Sequence, residues 1–332
     1  MEKCVSISHV FKAFDGIKAL QDISTEIKIG ELRAFLGPNG AGKTTLMRIL
    51  TTQIRPTSGD AMVMGYSVTK EAKKVRMLIG YVPQEFSVWT DLTGYENMMI
   101  YAKLYGMERD KLKRAVEDML DFMELREAGN RLVKTYSGGM IRRLEMGIAL
   151  LVKPKVIFLD EPTIGLDPRA RELVWSRLLE YKKEYGATVI FNTHYMDEAE
   201  RFAEKVTVIN KGRLVAEGSP QDLIEVVGGG DLISLEIKSD LSHALNVLSP
   251  MEGIELVSSK NPLILRVENA ESIVSTIIGI LIKQGVQVGE VRIRKPTLED
   301  VFIKLTGTSF EEAEAAGYRE ALAMRGAIRR GG

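Results

Sequence analysis

A chain of 332 residues, 45% apolar and 27% charged, is too long for one small domain and has the make-up of a folded globular protein, which excludes disorder over most of its length. Lysine plus arginine and aspartate plus glutamate each number 45, so no bulk field recommends nucleic acid or an anionic membrane as a partner. The single Cys4 excludes an intramolecular disulfide and fits a reducing, cytoplasmic compartment.

The opening MEKCVSISH holds no apolar run of the kind a secretory leader needs. Residues 5–14 and 22–28 are predicted strands joined around Asp15-Gly16. Phe14, at the end of the first, reads by itself as a core aromatic. Residues 32–36 make a short apolar strand. The stretch Gly37, Pro38, Asn39, Gly40, Ala41, Gly42, Lys43, Thr44, Thr45 then fits GxxxxGK[ST], with helix-compatible residues 45–50 behind it. Glycine lets backbone N–H groups converge with no Cβ in the way, and the helix presents its positive end, so the loop is a preformed phosphate cradle. Lys43 reaches the β- and γ-phosphates and Thr44 offers its hydroxyl to Mg²⁺. Such a match arises by chance in roughly one chain in a hundred, so context has to decide it.

After a turn at Arg55-Pro56-Thr57-Ser58-Gly59 come a predicted strand at 61–64, a helix at 69–77, and the strand Ile79-Gly80-Tyr81-Val82, which ends in Pro83-Gln84. From there Gln84 can reach a bound Mg²⁺ or its water; in isolation a Gln after a strand is a solvated loop residue. Thr93 and Glu96 have capping-box spacing, and a second helix at 108–123 completes an all-helical insert with no chemistry of its own. Tyr136-Ser137-Gly138-Gly139-Met140 opens a helix at 141–151 and offers free N–H groups and a hydroxyl, a second anion site by the same physics, although SGG also occurs in ordinary turns. Residues 156–159 form a buried strand ending in Asp160-Glu161. Two carboxylates there are costly unless they serve an ion or a proton transfer. Asp160 suits Mg²⁺, and Glu161 suits a base or positioner for attacking water. The turn Gly165-Leu166-Asp167-Pro168 precedes a helix at 169–185, and the strand at 188–192 leads to Thr193-His194. His194 there can sense a γ-phosphate; away from such a site a lone His is a structural hydrogen-bond partner.

Residues 205–210 and 214–217 read as a hairpin, 220–227 as a short helix, and Gly228-Gly229-Gly230 as a hinge. Beyond it no phosphate motif recurs. Strand 232–237, helix 242–248, strands 254–257 and 263–267, helix 270–283 and strand 286–293 give the order βαββαβ, the ferredoxin-like split unit. The most apolar run, residues 273–282, is about ten long where a spanning helix needs about twenty, so the chain is expected not to cross a membrane. A last helix runs from Pro296 to near Leu305, and the tail from Gly307, with Arg325, Arg329 and Arg330, is expected to be mobile. The domains expected are therefore 1–227, with a helical subdomain at about 85–150, then 228–306, and the tail 307–332.

GPNGAGKTT, YVPQ, YSGGM, VIFLDEP, GLD and NTH stand in one fixed order over roughly residues 2–227, and that order resembles the ATP-binding cassette family. The resemblance implies an α/β P-loop NTPase fold with a mixed sheet core, an antiparallel β layer and a helical subdomain. It implies ATP and Mg²⁺ as cofactors, with the loop residues on the phosphates, Thr44, Gln84 and Asp160 at the metal, and Glu161, His194 and Gln84 at the hydrolysed bond. It further implies that two cassettes close head to tail, Ser137, Gly138 and Gly139 of one capping the ATP on the loop of the other, with Asp167 in the D-loop. Tyr136 and Met140 depart from the commonest signature LSGGQ; Ser137 and both backbone nests remain, so capping should survive with one contact fewer. Phe14 stands where an adenine-stacking Tyr is usual, and stacking needs only the ring.

YSGGM followed by Arg142-Arg143, the run THYMDEAE and the late LEDVF resemble the drug-resistance and multidrug exporter branch, of daunorubicin-resistance type, in which the permease is a separate chain. The βαββαβ region resembles the accessory domain of that branch. The implied function is the ATP-hydrolysing motor subunit of an exporter, a homodimer on the inner face of the cell membrane, bound to a separate permease and to no nucleic acid. An importer motor is the nearest alternative, since the cassette is common to both. A cassette protein acting on DNA or ribosomes usually has two cassettes or a long coiled-coil insert, which the short stretch from Gln84 to Ser137 cannot hold. An unrelated P-loop kinase or GTPase is argued against by the Ser137 loop and the Asp160-Glu161 pair.

Overall fold

The computed structural model describes residues 2–226, 228–310 and 312–315. Pro220–Ser309 form one compact unit, and the described residues on either side of them form the other.

The first unit begins with β1 (Lys3–Phe14) and β2 (Ile17–Lys28), then β3 (Leu32–Leu36), α1 (Lys43–Leu50), β4 (Ser58–Val63), β5 (Tyr66–Ser67), α2 (Ala72–Arg76) and β6 (Ile79–Val82). A helical stretch follows: α3 (Gly94–Leu104), α4 (Arg109–Phe122) and α5 (Gly138–Leu150). The unit continues with β7 (Val156–Asp160), α6 (Pro168–Tyr185), β8 (Thr188–Thr193), α7 (Met196–Phe202), β9 (Lys205–Asn210) and β10 (Arg213–Gly218). The second strand starts five residues earlier than its apolar pattern suggests. Asp15 and Gly16 take φ of 46° and 85°, the pair of positive angles that a two-residue hairpin needs, so pairing resumes at once with Phe14 opposite Ile17. The helix at α7 was not legible as one, because its run Met196–Phe202 is mostly charged.

Two sheets result, an antiparallel layer in the order β2-β1-β4-β5 and a six-stranded sheet in the order β10-β9-β3-β8-β7-β6. In the larger sheet every pairing is parallel except β10 with β9. β3, β7 and β8 are buried along their whole length and carry no polar alternation, as strands covered on both faces do. Because they run parallel, their carboxyl ends share one edge of the sheet, and the segments after Leu36, Val82, Asp160 and Thr193 emerge side by side. Phe35, Phe158, Ile190 and Leu46 pack in the core that fixes this edge; burying each such side chain contributes about 1.5–3 kcal/mol. In the helical stretch Thr93 and Glu96 do form a capping box: Glu96 N donates to Thr93 Oγ1 at 3.1 Å and Thr93 N to Glu96 Oε2 at 2.8 Å.

The second unit holds α8 (Pro220–Val226), β11 (Asp231–Ile237), α9 (Leu241–Leu248), β12 (Ile254–Ser258), β13 (Leu263–Val267), α10 (Ala270–Lys283), β14 (Val288–Arg294) and α11 (Leu298–Thr306). Its sheet has the order β12-β13-β11-β14, with all neighbours antiparallel. Ile233, Leu235 and Ile237 meet Leu265, Ile277 and Leu281 in one core. The division falls at Pro220 instead of at the triple glycine, because α8 packs against α11 inside this unit. Where a mobile tail from Gly307 was expected, Phe310 is buried and residues 312–315 are helical and belong to the first unit. Val227, Arg325, Arg329 and Arg330 lie outside the described residues. Among the described residues no helix is long and apolar enough to cross a membrane.

Candidate functional site

The loop from Gly37 to Thr45 joins the end of β3 to the start of α1. Gly42 sits at the helix N-cap with φ of 107° and no side-chain cap, and a Cβ built there falls 2.7 Å from the carbonyl oxygen of Ala19. Glycine is thus required twice over, by the left-handed backbone and by the close approach. Ala41 N donates to Pro38 O at 3.1 Å, which curls the loop. Lys43 is 4% exposed, and its Nζ donates to the carbonyls of Gly37 at 2.6 Å and Pro38 at 3.2 Å. Burial pulls its ammonium down, opposed by Glu161, Asp160 and Glu314. A buried cation whose hydrogen bonds go to carbonyls suits an anionic ligand. Asn39, Gly40, Ala41, Gly42, Lys43, Thr44 and Thr45 line a cavity of about 280 Å³, and Gln84 and Glu161 line it with them.

The two carboxylates enter from β7, whose residue 160 lies in register with residue 192 of β8. Asp160 Oδ1 accepts from Asn192 Nδ2 at 2.8 Å and from Thr44 Oγ1 at 3.1 Å. Burial pushes the Asp160 carboxyl above the ordinary range, against those two bonds. Glu161 is held at φ of 51°, a left-handed angle that costs a non-glycine residue on the order of 1 kcal/mol and is tolerated where a side chain has to be aimed. Its Oε2 accepts from Gln84 Nε2 at 3.3 Å, and its Oε1 lies 3.2 Å from His194 Nδ1, close but not aligned as a hydrogen bond. Burial raises the Glu161 carboxyl, but His194 and Lys43 outweigh it and leave it below the usual range. Neighbouring carboxyls are therefore pushed in opposite directions, and Glu161 is the one kept ionised and able to orient a water. Thr44, Asp160 and Gln84 supply hard oxygen donors, one of them a carboxylate, a set that fits Mg²⁺.

Phe14 is 44% exposed, which overturns the reading of it as core. Ser137 and Gly138 are exposed at the start of α5, where Ser137 Oγ accepts from Met140 N at 3.3 Å; none of Ser137, Gly138, Gly139 or Asp167 lines the phosphate-loop cavity. Asp167 caps α6 by accepting from Ala170 N at 2.9 Å. Tyr136 buries its ring and donates its hydroxyl to Ala128 O at 2.6 Å, which accounts for an aromatic at that position.

Three groups of residues at this edge were not singled out from the sequence. Asn192 was quoted within NTH but given no role. Glu198, 1% exposed, accepts from Thr163 Oγ1 on one oxygen and from Thr193 Oγ1 on the other at 3.1 Å, so it bridges the segment after Glu161 to the one before His194. Glu314 Oε1 accepts from Asn39 Nδ2 at 2.9 Å, which sets an acidic side chain beside the phosphate loop.

A family model for ABC transporters matches residues 20–164. The chain is 34% identical to a daunorubicin resistance ATP-binding protein of Streptomyces coeruleorubidus, over 95% of this chain and 99% of that protein. It is 35% identical to the Nod factor export ATP-binding protein I of Rhizobium etli, over 93% of this chain and 95% of that one. Among solved structures, an ATP-binding cassette described as dimeric, in a post-hydrolysis state bound to ADP and Pi, superposes with a TM-score of 0.61 at 28% identity, covering 65% of this chain and 98% of that one.

Proposed function

This chain belongs to the ABC transporter family as one of its ATP-hydrolysing, ATP-binding subunits, and on that footing we propose that it is the motor of an exporter, working as a pair of copies that drive a separate membrane permease. The observation that carries the catalytic part is the approach of Gln84 at 3.3 Å and His194 at 3.2 Å to the Glu161 carboxylate, which lines the cavity of the phosphate loop. In this reading Lys43 and the loop N–H groups hold the β- and γ-phosphates, and Phe14 stacks on the base. Thr44, Asp160 and Gln84 hold Mg²⁺, which when bound neutralises phosphate charge. Glu161 accepts the hydrogen bond of the attacking water, and His194 contacts the γ-phosphate end while steadying Glu161.

Ser137 and Gly138 are exposed, and a helix N-terminus is an anion site, so we assign them, with Gly139, to the nucleotide held by a second copy. Asp167, whose neighbours Leu166 and Ala170 approach Gly138 and Gly139, is assigned to the same face. The dimeric cassette among the structural neighbours supports this pairing. Resistance and export in the relatives' names support export over import, and the second unit is assigned to accessory contacts instead of chemistry. We place the protein on the inner face of the cell membrane through its permease. Two measurements test the reading. Light scattering of Glu161→Gln with ATP should report a dimer, and a monomer under those conditions overturns the paired site. Coexpression with a membrane-spanning permease should lower intracellular substrate, and ATP-driven accumulation instead would make the chain an importer motor.

A further inference from the structure

We propose that Arg142 and Glu145 form a buried clamp that positions Gln84 and ties it mechanically to the helix that begins at Ser137. The proposal rests on the reading of Gln84 as a nucleotide-facing residue. Arg142 and Glu145 are 1% and 2% exposed in their side chains and lie 3.1 Å apart on α5. Arg142 Nη1 donates to Pro83 O at 2.7 Å and Nη2 to Gln84 O at 2.9 Å. Glu145 Oε1 accepts from Ser87 N at 2.5 Å and from Ser87 Oγ at 3.0 Å. The Phe86 ring lies over the guanidinium, 5.2 Å from its central carbon to the ring centroid.

The whole turn after β6 is therefore gripped from one helix. A guanidinium that forks onto two successive carbonyls fixes the two peptide groups that flank the Gln84 Cα, and with them the direction in which the Gln84 side chain leaves the backbone; a lysine has no such fork. Stability is a poor account of the pair. Removing two charges from water offsets most or all of their attraction, and well-packed apolar replacements are often neutral or better. What the pair does supply is orientation, since its hydrogen bonds end on main-chain groups of residues 83, 84 and 87. Arg142 also sits about one helical turn from Gly138, so a displacement of the exposed Ser137 end of α5 is carried to Gln84 through a single rigid helix. Residues that meet a second copy would thereby adjust the Gln84 of their own copy.

The test uses the full chain with Arg142→Met and Glu145→Leu combined, which keeps volume and removes the grip. The double variant should keep its melting temperature and its affinity for ATP while kcat falls about tenfold or more at unchanged KM, as expected when a reacting group is misplaced by a fraction of an ångström to one ångström. Added to Gln84→Ala, it should cost nothing further. Parent-rate hydrolysis by the folded double variant, or losses that multiply with those of Gln84→Ala, would show the pair to be only structural and overturn the proposal. If the double variant does not fold, Arg142→Lys decides: it keeps the charge beside Glu145 and loses the fork, and a parent-rate kcat for it overturns the clamp. Should Gln84→Ala itself hydrolyse ATP at the parent rate, the reading of Gln84 falls, and the clamp with it. A slow Gln84→Ala beside unaffected clamp variants removes the clamp alone.

Discussion

Asn192 Nδ2 donates to Asp160 Oδ1 at 2.8 Å across the parallel pair β7 and β8. The bond orients a carboxylate that burial pushes toward protonation, and a hydrogen bond to a charged group is worth roughly 1.5–3 kcal/mol. Asn192→Ala is therefore expected to weaken Mg²⁺-dependent ATP binding and to slow hydrolysis by about tenfold or more. Titrating ATP with and without Mg²⁺ on the purified variant checks it; equal loss in both series would disconnect Asn192 from the metal.

Lys43→Ala should abolish tight ATP binding, because the loop loses its one buried side-chain cation. Glu161→Gln should bind ATP like the parent and hydrolyse it about 10²- to 10⁴-fold more slowly, the usual worth of a positioned base. Nucleotide binding and steady-state phosphate release on both variants test the pair, and a Glu161→Gln protein at the parent rate would take Glu161 out of catalysis.

Gly138→Asp should fold, since a Cβ there meets only Leu166 and Phe86 at 3.9 Å, whereas at Gly139 it would lie 2.8 Å from the Ala170 side chain. Binding of ATP to a single copy is expected to persist, and hydrolysis to stop, as a carboxylate at the start of α5 repels a γ-phosphate brought by the second copy. Mixing with Lys43→Ala can rebuild at most one complete site per pair. Partial recovery in the mixture is the expected result; normal hydrolysis by Gly138→Asp alone would be fatal to the paired site.

Glu314→Gln is expected to tighten ATP binding severalfold at low salt and by less at high salt, because the glutamate places negative charge beside Asn39 and Lys43, where phosphate would bind. Affinities measured at two ionic strengths decide this, and no change at either shows the contact to be silent.

Asp300 accepts from Arg294 at 2.6 and 2.8 Å and from Thr297 N at 2.8 Å at the start of α11. Burial raises its carboxyl, but Arg294 and Thr297 outweigh that and hold it below the ordinary range. A depressed carboxylate stabilises the fold above its unfolded pKa of about 3.9 and loses that contribution as pH falls through the lower folded value. Asp300→Asn should cost about 1 kcal/mol at neutral pH, the worth of a helix cap, and the difference should close as pH falls below the unfolded value and through the lower folded one. Melting curves of both proteins across that range provide the check.

The sequence by itself was enough to place the phosphate loop, the strand ending in Asp160-Glu161, the Ser137 helix start and the capped helix at Thr93. The loop, the Ser137 helix start and the Thr93 cap are held by contacts within a few residues, and the strand announces itself as an unbroken apolar run, so local pattern was sufficient for all four. Family and fold class followed from the order of those motifs. Tertiary structure alone decided what meets what: Asn192 against Asp160 depends on strand register, Arg142 against Pro83 and Gln84 joins positions 59 and 58 residues apart, and Asn39 with Glu314 spans 275. Glu198 lies within the charged run of α7, and only the packing of that helix turns its carboxylate inward onto two threonines. Such partners are chosen by which side chains remain unsatisfied once the strands have aligned, and no local pattern records that choice.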